Sequence, residues 1–280
     1  MRIRIWGARG TIAAPGAGTK GYGGDTSCVE LRPAGGGVVI LDAGTGIREL
    51  GVRLVDEGVR TIHLLLTHLH VDHLEGLGTF APLYQEGTEV HIWGPASPVA
   101  SLGERVATYF SPPLFPVTLA EVPGRVEFHN ASESEWLIDG TRFVSNAILH
   151  PGPTVGYRIE ENGSVLAYLT DHEPALGAEL EHDATDWISG FSIALRANVL
   201  IHDCQYTPEE YAGRMGWGHT STEQLAVFAA RAEVDRVLLF HHDPMHTDEQ
   251  LETMRDDVRD RWGVDASRCE LAASGTELTL

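Results

Sequence analysis

Cysteine, basic residues and long apolar runs are all scarce in this sequence. Its three cysteines, Cys28, Cys204 and Cys269, are far apart and form no C-x-x-C pair. This pattern argues against a disulfide framework and predicts free thiols in a reducing compartment, the cytoplasm. No apolar run approaches the ~20 residues of a membrane-spanning helix, and residues 1–6 alternate like a strand instead of resembling a signal peptide. We therefore expect a protein without a membrane anchor.

Acidic residues outnumber basic residues two to one. The 280 residues include 40 Asp and Glu against 20 Lys and Arg, for a formal net charge of −20. A protein that grips a nucleic-acid backbone needs a basic surface, so extended nucleic-acid binding is disfavoured. A small anionic substrate is still compatible with this charge, because a pair of divalent metal ions can dominate the local field in an acidic protein.

Strand-like and helix-like segments alternate along the chain, as is typical of a layered α/β protein with sheets at its centre. At 280 residues the chain is predicted to form a single domain, residues 1–280. The strands are predicted at 2–6, 27–32, 37–42, 62–66, 89–93, 142–148, 154–159, 164–169, 198–202, 236–240 and 276–280. The helices are predicted at 45–57, 73–85, 97–107, 185–196, 208–214, 221–232 and 247–261, with Thr45 and the stretch 220–223 as N-terminal caps.

Three of the 14 histidines fall within one segment, Thr67–His73, which reads Thr-His-Leu-His-Val-Asp-His. The preceding residues 62–66 are apolar and short enough for a buried strand, and Leu74, Leu77 and Phe80 recur at helical intervals. The segment is therefore predicted to be a loop that joins a strand to a helix. The alternative is that these histidines cluster by chance. Four residues that can bind a metal ion, three histidines and one aspartate within six positions, make chance a weak explanation.

The spacing within this segment suits two metal ions. His68 and His70 are two residues apart on extended chain and point the same way, so they can share one ion. Asp72 and His73 occupy the first helical turn and can face a second ion. Imidazole nitrogens and carboxylate oxygens without thiolate favour Zn²⁺, with Mn²⁺ or Fe²⁺ as alternatives.

Further ligands are expected where later strands end, because functional groups gather at strand ends in α/β sheets. His150 follows the strand-like stretch 143–149, and Pro151 after it stops the strand. Asp171 ends the run 165–170, where a carboxylate can bridge two ions. His241 and His242 both follow the apolar run 237–240, and either can supply the last ligand.

These motifs, in this order, resemble the metallo-β-lactamase superfamily. That family's pattern is matched by His-x-His-x-Asp-His at 68–73, by the three later positions, and by Leu-Asp-Ala-Gly-Thr-Gly at 41–46. The resemblance implies a four-layer αββα sandwich and a dinuclear metal site. It assigns His68, His70 and His150 to the first ion, Asp72, His73 and His241 to the second, and Asp171 to both. The aspartate at position 42 is expected to orient the histidine loop.

Within the family, the chain is most similar to the phosphodiesterase branch, which includes tRNA 3′-processing endonucleases and cyclic-phosphate phosphodiesterases. Three stretches carry this likeness: residues 6–11, residues 22–28, and Gly-His-Thr-Ser-Thr at 218–222. The likeness implies that His219 contacts the scissile phosphate or protonates the leaving group. A histidine that merely neighbours a helix cap is the plainer alternative. The branch also contains homodimers, so two copies of this chain can be expected to pair.

Two departures from that branch bear on the substrate. Members that process tRNA carry a long basic arm between the third and fourth ligand motifs, whereas His150 and Asp171 are joined by a short stretch of chain. Together with the acidic charge, this favours a small or cyclic phosphodiester over tRNA. Asp25 stands where the similar sequences tend to have asparagine, and it either repels anionic substrates or hydrogen-bonds to its own loop.

The resemblance predicts a metal-dependent hydrolase in which hydroxide bound by the two ions attacks phosphorus. Asp72 would orient the hydroxide, and His219 would assist the departing alkoxide. Arg9 and Arg48 are candidate phosphate contacts, with a salt bridge as the alternative for each. Two other functions stay open: hydrolysis of a lactone, thioester or β-lactam on the same metals, and a noncatalytic metal-bearing sensor module.

Overall fold

The structure is a computed structural model that describes all residues from 1 to 280. The strands are β1 Arg2–Gly7, β2 Cys28–Arg32, β3 Val39–Leu41, β4 Thr61–Leu65, β5 Glu89–Gly94, β6 Arg125–Asn130, β7 Ser134–Ile138, β8 Thr141–Ala147, β9 Val155–Glu161, β10 Ser164–Leu169, β11 Val199–Asp203, β12 Val237–Phe240, β13 Cys269–Leu271 and β14 Glu277–Thr279. The α-helices are α1 Ile47–Asp56, α2 Leu102–Tyr109, α3 Phe191–Ala194, α4 Pro208–Ala212, α5 Thr222–Arg231 and α6 Asp248–Trp262. None of these helices combines the length and apolar character needed to cross a membrane.

The strands form two seven-stranded sheets of matching design. Their orders are β14-β1-β2-β3-β4-β5-β6 and β13-β12-β11-β10-β9-β8-β7. In each sheet one part is antiparallel and the other parallel: β3 to β6 run parallel in the first, and β10 to β13 in the second. Because parallel strands end at a common edge, loops that follow β4, β10, β11 and β12 can converge on one site.

Three apolar clusters hold the layers together. The sheets pack face to face through buried side chains such as Leu41, Leu65, Tyr157 and Phe240. The outer face of the first sheet is covered by α1 and α2, and the outer face of the second by α3, α5 and α6. The predicted αββα sandwich is therefore confirmed.

The helix predicted at residues 73–85 is wrong. Three short 3₁₀ helices lie there instead, at Val71–His73, Glu75–Thr79 and Ala81–Tyr84. The apolar residues of this stretch recur every third position, which is the period of a 3₁₀ helix and not of an α-helix. Gly76 also brings the chain so close to Gly44 that an added Cβ would lie 2.1 Å from its carbonyl oxygen.

Other predicted elements also needed correction. The helix at 185–196 is reduced to α3 and a 3₁₀ turn, and α1 begins after Gly46 without a side-chain cap from Thr45. The strands β6, β7 and β13 were not predicted. Charged and histidine side chains dilute the apolar alternation of β6 and β7, and β13 has only three residues.

Candidate metal centre

The predicted ligand residues lie on four loops that meet at one edge of the sandwich. The segment from His68 to His73 follows β4, and His150 lies between β8 and β9. Asp171 comes two residues after β10, and His241 directly follows β12. The structure brings the seven side chains together in two groups that share Asp171.

The first group contains His68, His70, His150 and Asp171. His150 Nε2 lies 3.1 Å from His70 Nδ1, and the rings of His68 and His70 have centroids 4.4 Å apart. Asp171 Oδ1 lies 3.7 Å from His68 Nε2 and 3.8 Å from His150 Nε2. Three imidazole nitrogens and one carboxylate oxygen therefore face a common point.

The second group contains Asp72, His73, Asp171 and His241. His73 Nε2 lies 3.3 Å from Asp72 Oδ2 and 3.0 Å from Asp171 Oδ2. His241 Nε2 lies 3.1 Å from Asp72 Oδ2 and 3.2 Å from Asp171 Oδ2. Asp171 thus directs one oxygen at each group, which is the geometry of a bridging ligand.

The residues fit divalent metal ions on two grounds. The ligand atoms of the second group lie 3.0 to 3.4 Å apart, close to the ~3.4 Å between ligand atoms held tetrahedrally at ~2.1 Å from one Zn²⁺. In addition, His68 Nε2 is buried without a hydrogen-bond partner, a costly arrangement that an ion would relieve. The nitrogen and oxygen donor set suits zinc, manganese or iron.

Polar contacts behind the ligands orient the imidazole rings. Asp42 Oδ2 lies 2.9 Å from His73 Nδ1 as a charge pair, which leaves Nε2 for a metal ion. Asp42 also accepts hydrogen bonds from Thr67 N at 2.8 Å and from Tyr168 OH at 2.9 Å. It therefore anchors the histidine loop, as expected of this aspartate. His150 Nδ1 similarly lies 2.9 Å from the Gly218 carbonyl oxygen.

Backbone strain occurs at the two groups as well as in turns elsewhere in the chain. Nine residues other than glycine have a positive φ, and Thr11, Asp42, Asp171 and His241 are four of them. Three of the four directly follow or closely follow a strand, and Thr11 N donates a 2.7 Å hydrogen bond to Asp72 Oδ2. Such conformations cost of order 1 kcal/mol or more each and persist mainly where function requires them.

Burial and charge act differently on the two groups of histidines. In the first group, burial lowers the pKa of His68 well below its ordinary value and lowers the pKa of His150 to about 4. In the second group, burial opposes protonation of His241, but Asp171 and Asp72 outweigh it and raise the pKa to about 9. Without an ion, the first group is therefore neutral at pH 7 and the second holds protons.

This difference predicts how metal uptake depends on pH. An ion in the second group must displace the His241 proton, because only a neutral imidazole can bind a metal. Its affinity should rise by at least about tenfold per pH unit as pH approaches the His241 pKa of about 9, because Asp171 and Asp72 also raise the pKa of His73 well above its ordinary value. Uptake by the first group should stay nearly flat over the same range, because His150 is already neutral.

Zinc titrations of the metal-free protein at several pH values between neutrality and about pH 9 would measure both affinities. Two sites with equal pH dependence would contradict this prediction. The first group serves as the internal control, since both sites are measured in the same sample.

His219 lies between the two groups and is held by an aspartate. Its Nδ1 lies 2.6 Å from Asp203 Oδ2, and its ring centroid is 5.2 Å from that of His150 and 5.0 Å from that of His241. Asp203 Oδ1 accepts 3.0 Å hydrogen bonds from the backbone amides of Gln205 and Thr220. Asp203 therefore fixes the orientation of His219 through Nδ1 and leaves Nε2 available for another contact.

Asp203 is a candidate functional residue that the sequence interpretation missed. It is the last residue of β11 and fully buried. The signal that identified Asp171, an acid at the end of an apolar strand, was present here too, in the run Val-Leu-Ile-His-Asp at 199–203. Its oxygen Oδ2 also lies 3.7 Å from His241 Nδ1, so one carboxylate faces two site histidines.

The sequence left two interpretations open for each of three residues, and the contacts of each residue in the structure favour one of them. His242 Nε2 lies 2.9 Å from the carbonyl oxygen of Ala272, so it faces away from both groups. Asp25 accepts a 2.9 Å hydrogen bond from Thr45 within its own loop. Arg9 is fully buried and donates to the carbonyl oxygens of Gly23 and His246, so it is a structural cation and not a phosphate contact.

The chain is similar to known proteins over most of its length. A family model described as the β-lactamase superfamily domain matches residues 38–242. A ribonuclease Z from Mycobacterium avium is 29% identical over 251 residues, which cover 80% of this chain and 82% of that protein.

Two solved structures share the whole fold. The metallo-β-lactamase fold protein YhfI from Bacillus subtilis superposes with a TM-score of 0.70 at 14% identity, covering 99% of this chain and 98% of that one. A diphosphatase from the PhnP family superposes with a TM-score of 0.67 at 17% identity, covering 100% of this chain and 97% of that one.

Proposed function

Because this chain belongs to the β-lactamase superfamily, we propose that it is a metal-dependent hydrolase that cleaves a small or cyclic phosphodiester. The observation that carries the proposal is His219, which Asp203 holds at 2.6 Å beside the two metal-binding groups. The relative called ribonuclease Z, at 29% identity, supports cleavage of a phosphodiester bond.

The seven clustered residues would hold the ions: His68, His70 and His150 the first, Asp72, His73 and His241 the second, with Asp171 shared between them. When bound, the two ions, zinc in our proposal, would supply the Lewis acidity that activates water as a nucleophile at neutral pH. Asp72 would orient this nucleophile, and a 2.7 Å hydrogen bond from Thr11 N to its Oδ2 supports a fixed position of the carboxylate.

His219 would act as the proton donor to the leaving alkoxide. Its Nδ1 is engaged by Asp203, so a proton on Nε2 points into the space between the rings of His150 and His241. A general acid in such a position contributes about 10²- to 10⁴-fold to the rate.

Two features favour a small substrate over tRNA. Between His150 and Asp171 the chain forms only the antiparallel hairpin of β9 and β10, with no room for a basic arm. The net charge of −20 opposes contact with a long phosphate backbone.

The three cysteines are free and buried, which agrees with the reducing environment of the cytoplasm. The cytoplasmic location and the homodimer both stay predictions.

A substrate panel tests the proposal. The zinc- or manganese-loaded protein is expected to hydrolyse bis(p-nitrophenyl) phosphate and at least one 2′,3′- or 3′,5′-cyclic nucleotide, and to leave precursor tRNA uncut. The same preparation is assayed with a lactone, a thioester and a β-lactam, which represent the acyl alternative. Metal-loaded protein that is inert on every phosphodiester, or that prefers an acyl substrate, would overturn the proposal.

A further inference from the structure

A second set of histidines lies in the first sheet, away from the metal centre. In the register of β4, β5 and β6, His63 pairs with His91 and His91 with Glu127. One row further along, Trp93 pairs with His129. Side chains at these positions share one face of the sheet, because alternate residues of a strand point the same way. None of them belongs to the two groups at the strand ends.

Three of these side chains, those of His91, Glu127 and His129, place ligand atoms within 4.8 Å of one another. His91 Nδ1 lies 3.0 Å from His129 Nε2 and 3.4 Å from Glu127 Oε2. These separations match the 3.0 and 3.4 Å found between ligand atoms in the metal centre. They also match the ~3.4 Å expected for two ligands around one Zn²⁺.

From this geometry we propose that His91, Glu127 and His129 bind a third divalent transition-metal ion. Two imidazoles and a carboxylate form a borderline donor set that Zn²⁺, Ni²⁺ or Cu²⁺ accepts and that Mg²⁺ or Ca²⁺ does not favour. The ion would complete its coordination with solvent, since the side chains of His91 and Glu127 are 18% and 35% exposed.

Neighbouring groups hold the three ligands in place. Arg125 pairs with Glu127 Oε1, which leaves Oε2 directed at His91. The ring of His129 stacks on Trp93 with centroids 4.2 Å apart. Burial lowers the pKa of His129, and His91 lowers it further, so the ring is neutral and its nitrogen is available to a metal at pH 7.

His63 supports this cluster without joining it. Its Nδ1 accepts a 3.3 Å hydrogen bond from Trp93 Nε1, and its ring stacks on His91 with centroids 4.8 Å apart. Burial lowers the pKa of His63 to about 4, so it adds no positive charge against a cation. Because β6 is the edge strand of its sheet, an ion bound here would tie that edge to β5.

Metal stoichiometry tests the inference on the full chain. Wild type, His91→Gln and His129→Gln are equilibrated at the same buffered free Zn²⁺ concentration, and zinc per chain is measured by mass spectrometry. We expect about three equivalents for wild type and about two for each variant. The control His182→Gln replaces an exposed histidine, 74% accessible, and should keep three. Equal zinc content in wild type and both variants would overturn the inference and leave only a hydrogen bond between two imidazoles.

Two further variants test the third metal site, one of them in case a histidine variant does not fold. If His129→Gln does not give a native circular dichroism spectrum, Glu127→Gln replaces it with the same expectation, because the Glu127 side chain is 35% exposed and more exposed than that of His91. In an Asp171→Asn background the third ion should still bind, because the site shares no residue with the metal centre. Loss of zinc at both places in that background would also contradict the inference. The proposed phosphodiesterase activity is not involved in either measurement.

Discussion

Replacing Asp171 with asparagine is expected to lower phosphodiester hydrolysis by about a thousandfold and to remove at least one of the two ions at the metal centre. Asp171 presents Oδ1 to the first group and Oδ2 to the second, where it lies 3.0 Å from His73 Nε2. Asparagine keeps the size but has one oxygen, so its NH₂ group would face one ion in place of a ligand. Loss of one ion costs several kcal/mol of transition-state stabilisation, which corresponds to this rate effect.

Zinc content and the hydrolysis rate of bis(p-nitrophenyl) phosphate, measured on the same preparations, check this prediction. The matched control is Asp56→Asn, which removes one carboxylate charge from an exposed position at the end of α1. The control should keep both ions and the full rate. An Asp171→Asn protein with unchanged zinc content and unchanged rate would show that Asp171 does not bridge.

Replacing His219 with asparagine is expected to reduce hydrolysis of a cyclic nucleotide by about 10²- to 10⁴-fold. Hydrolysis of bis(p-nitrophenyl) phosphate should fall much less, because p-nitrophenolate leaves without needing a proton. The asparagine amide can still donate to Asp203, which lies 2.6 Å from His219 Nδ1 in the native protein, so the loop geometry is retained. The prediction therefore isolates proton donation from positioning.

The comparison of the two substrates is the decisive readout for His219. An equal loss on both would mean that the residue positions the substrate or the metal ligands and donates no proton. Zinc content should stay at the wild-type value, since His219 is not among the clustered residues that share Asp171. The exposed His182, replaced in the same way, controls for the loss of one imidazole.

The clustered residues could be predicted because each follows an apolar strand. In this fold the ends of parallel strands meet at one edge, so residues as distant as His68, Asp171 and His241 become neighbours once the strands are recognised. The choice of His241 over His242 came from the family resemblance, because that family's final ligand directly follows the strand. In the structure His241 faces Asp72 at 3.1 Å, whereas the assignment of all seven as metal ligands stays a prediction.

Features that depend on tertiary contacts could not be predicted. The helix expected at 73–85 required a choice between periods of 3 and 3.6 residues, and the close approach of Gly76 to Gly44 decides it. Arg9 reads like a phosphate ligand in sequence, yet distant carbonyl oxygens bury and satisfy it. His91 and His129 are 38 residues apart in the sequence, and they meet only because of the register between β5 and β6. The sequence periodicity did not predict β6.

Anomalous scattering at the zinc edge from crystals of the zinc-loaded protein would test the central claim most directly. The account predicts one peak among His68, His70, His150 and Asp171 and a second among Asp72, His73, Asp171 and His241, with Asp171 contacting both. A single peak at this edge of the sandwich, or two peaks without Asp171 between them, would contradict a bridged dinuclear centre.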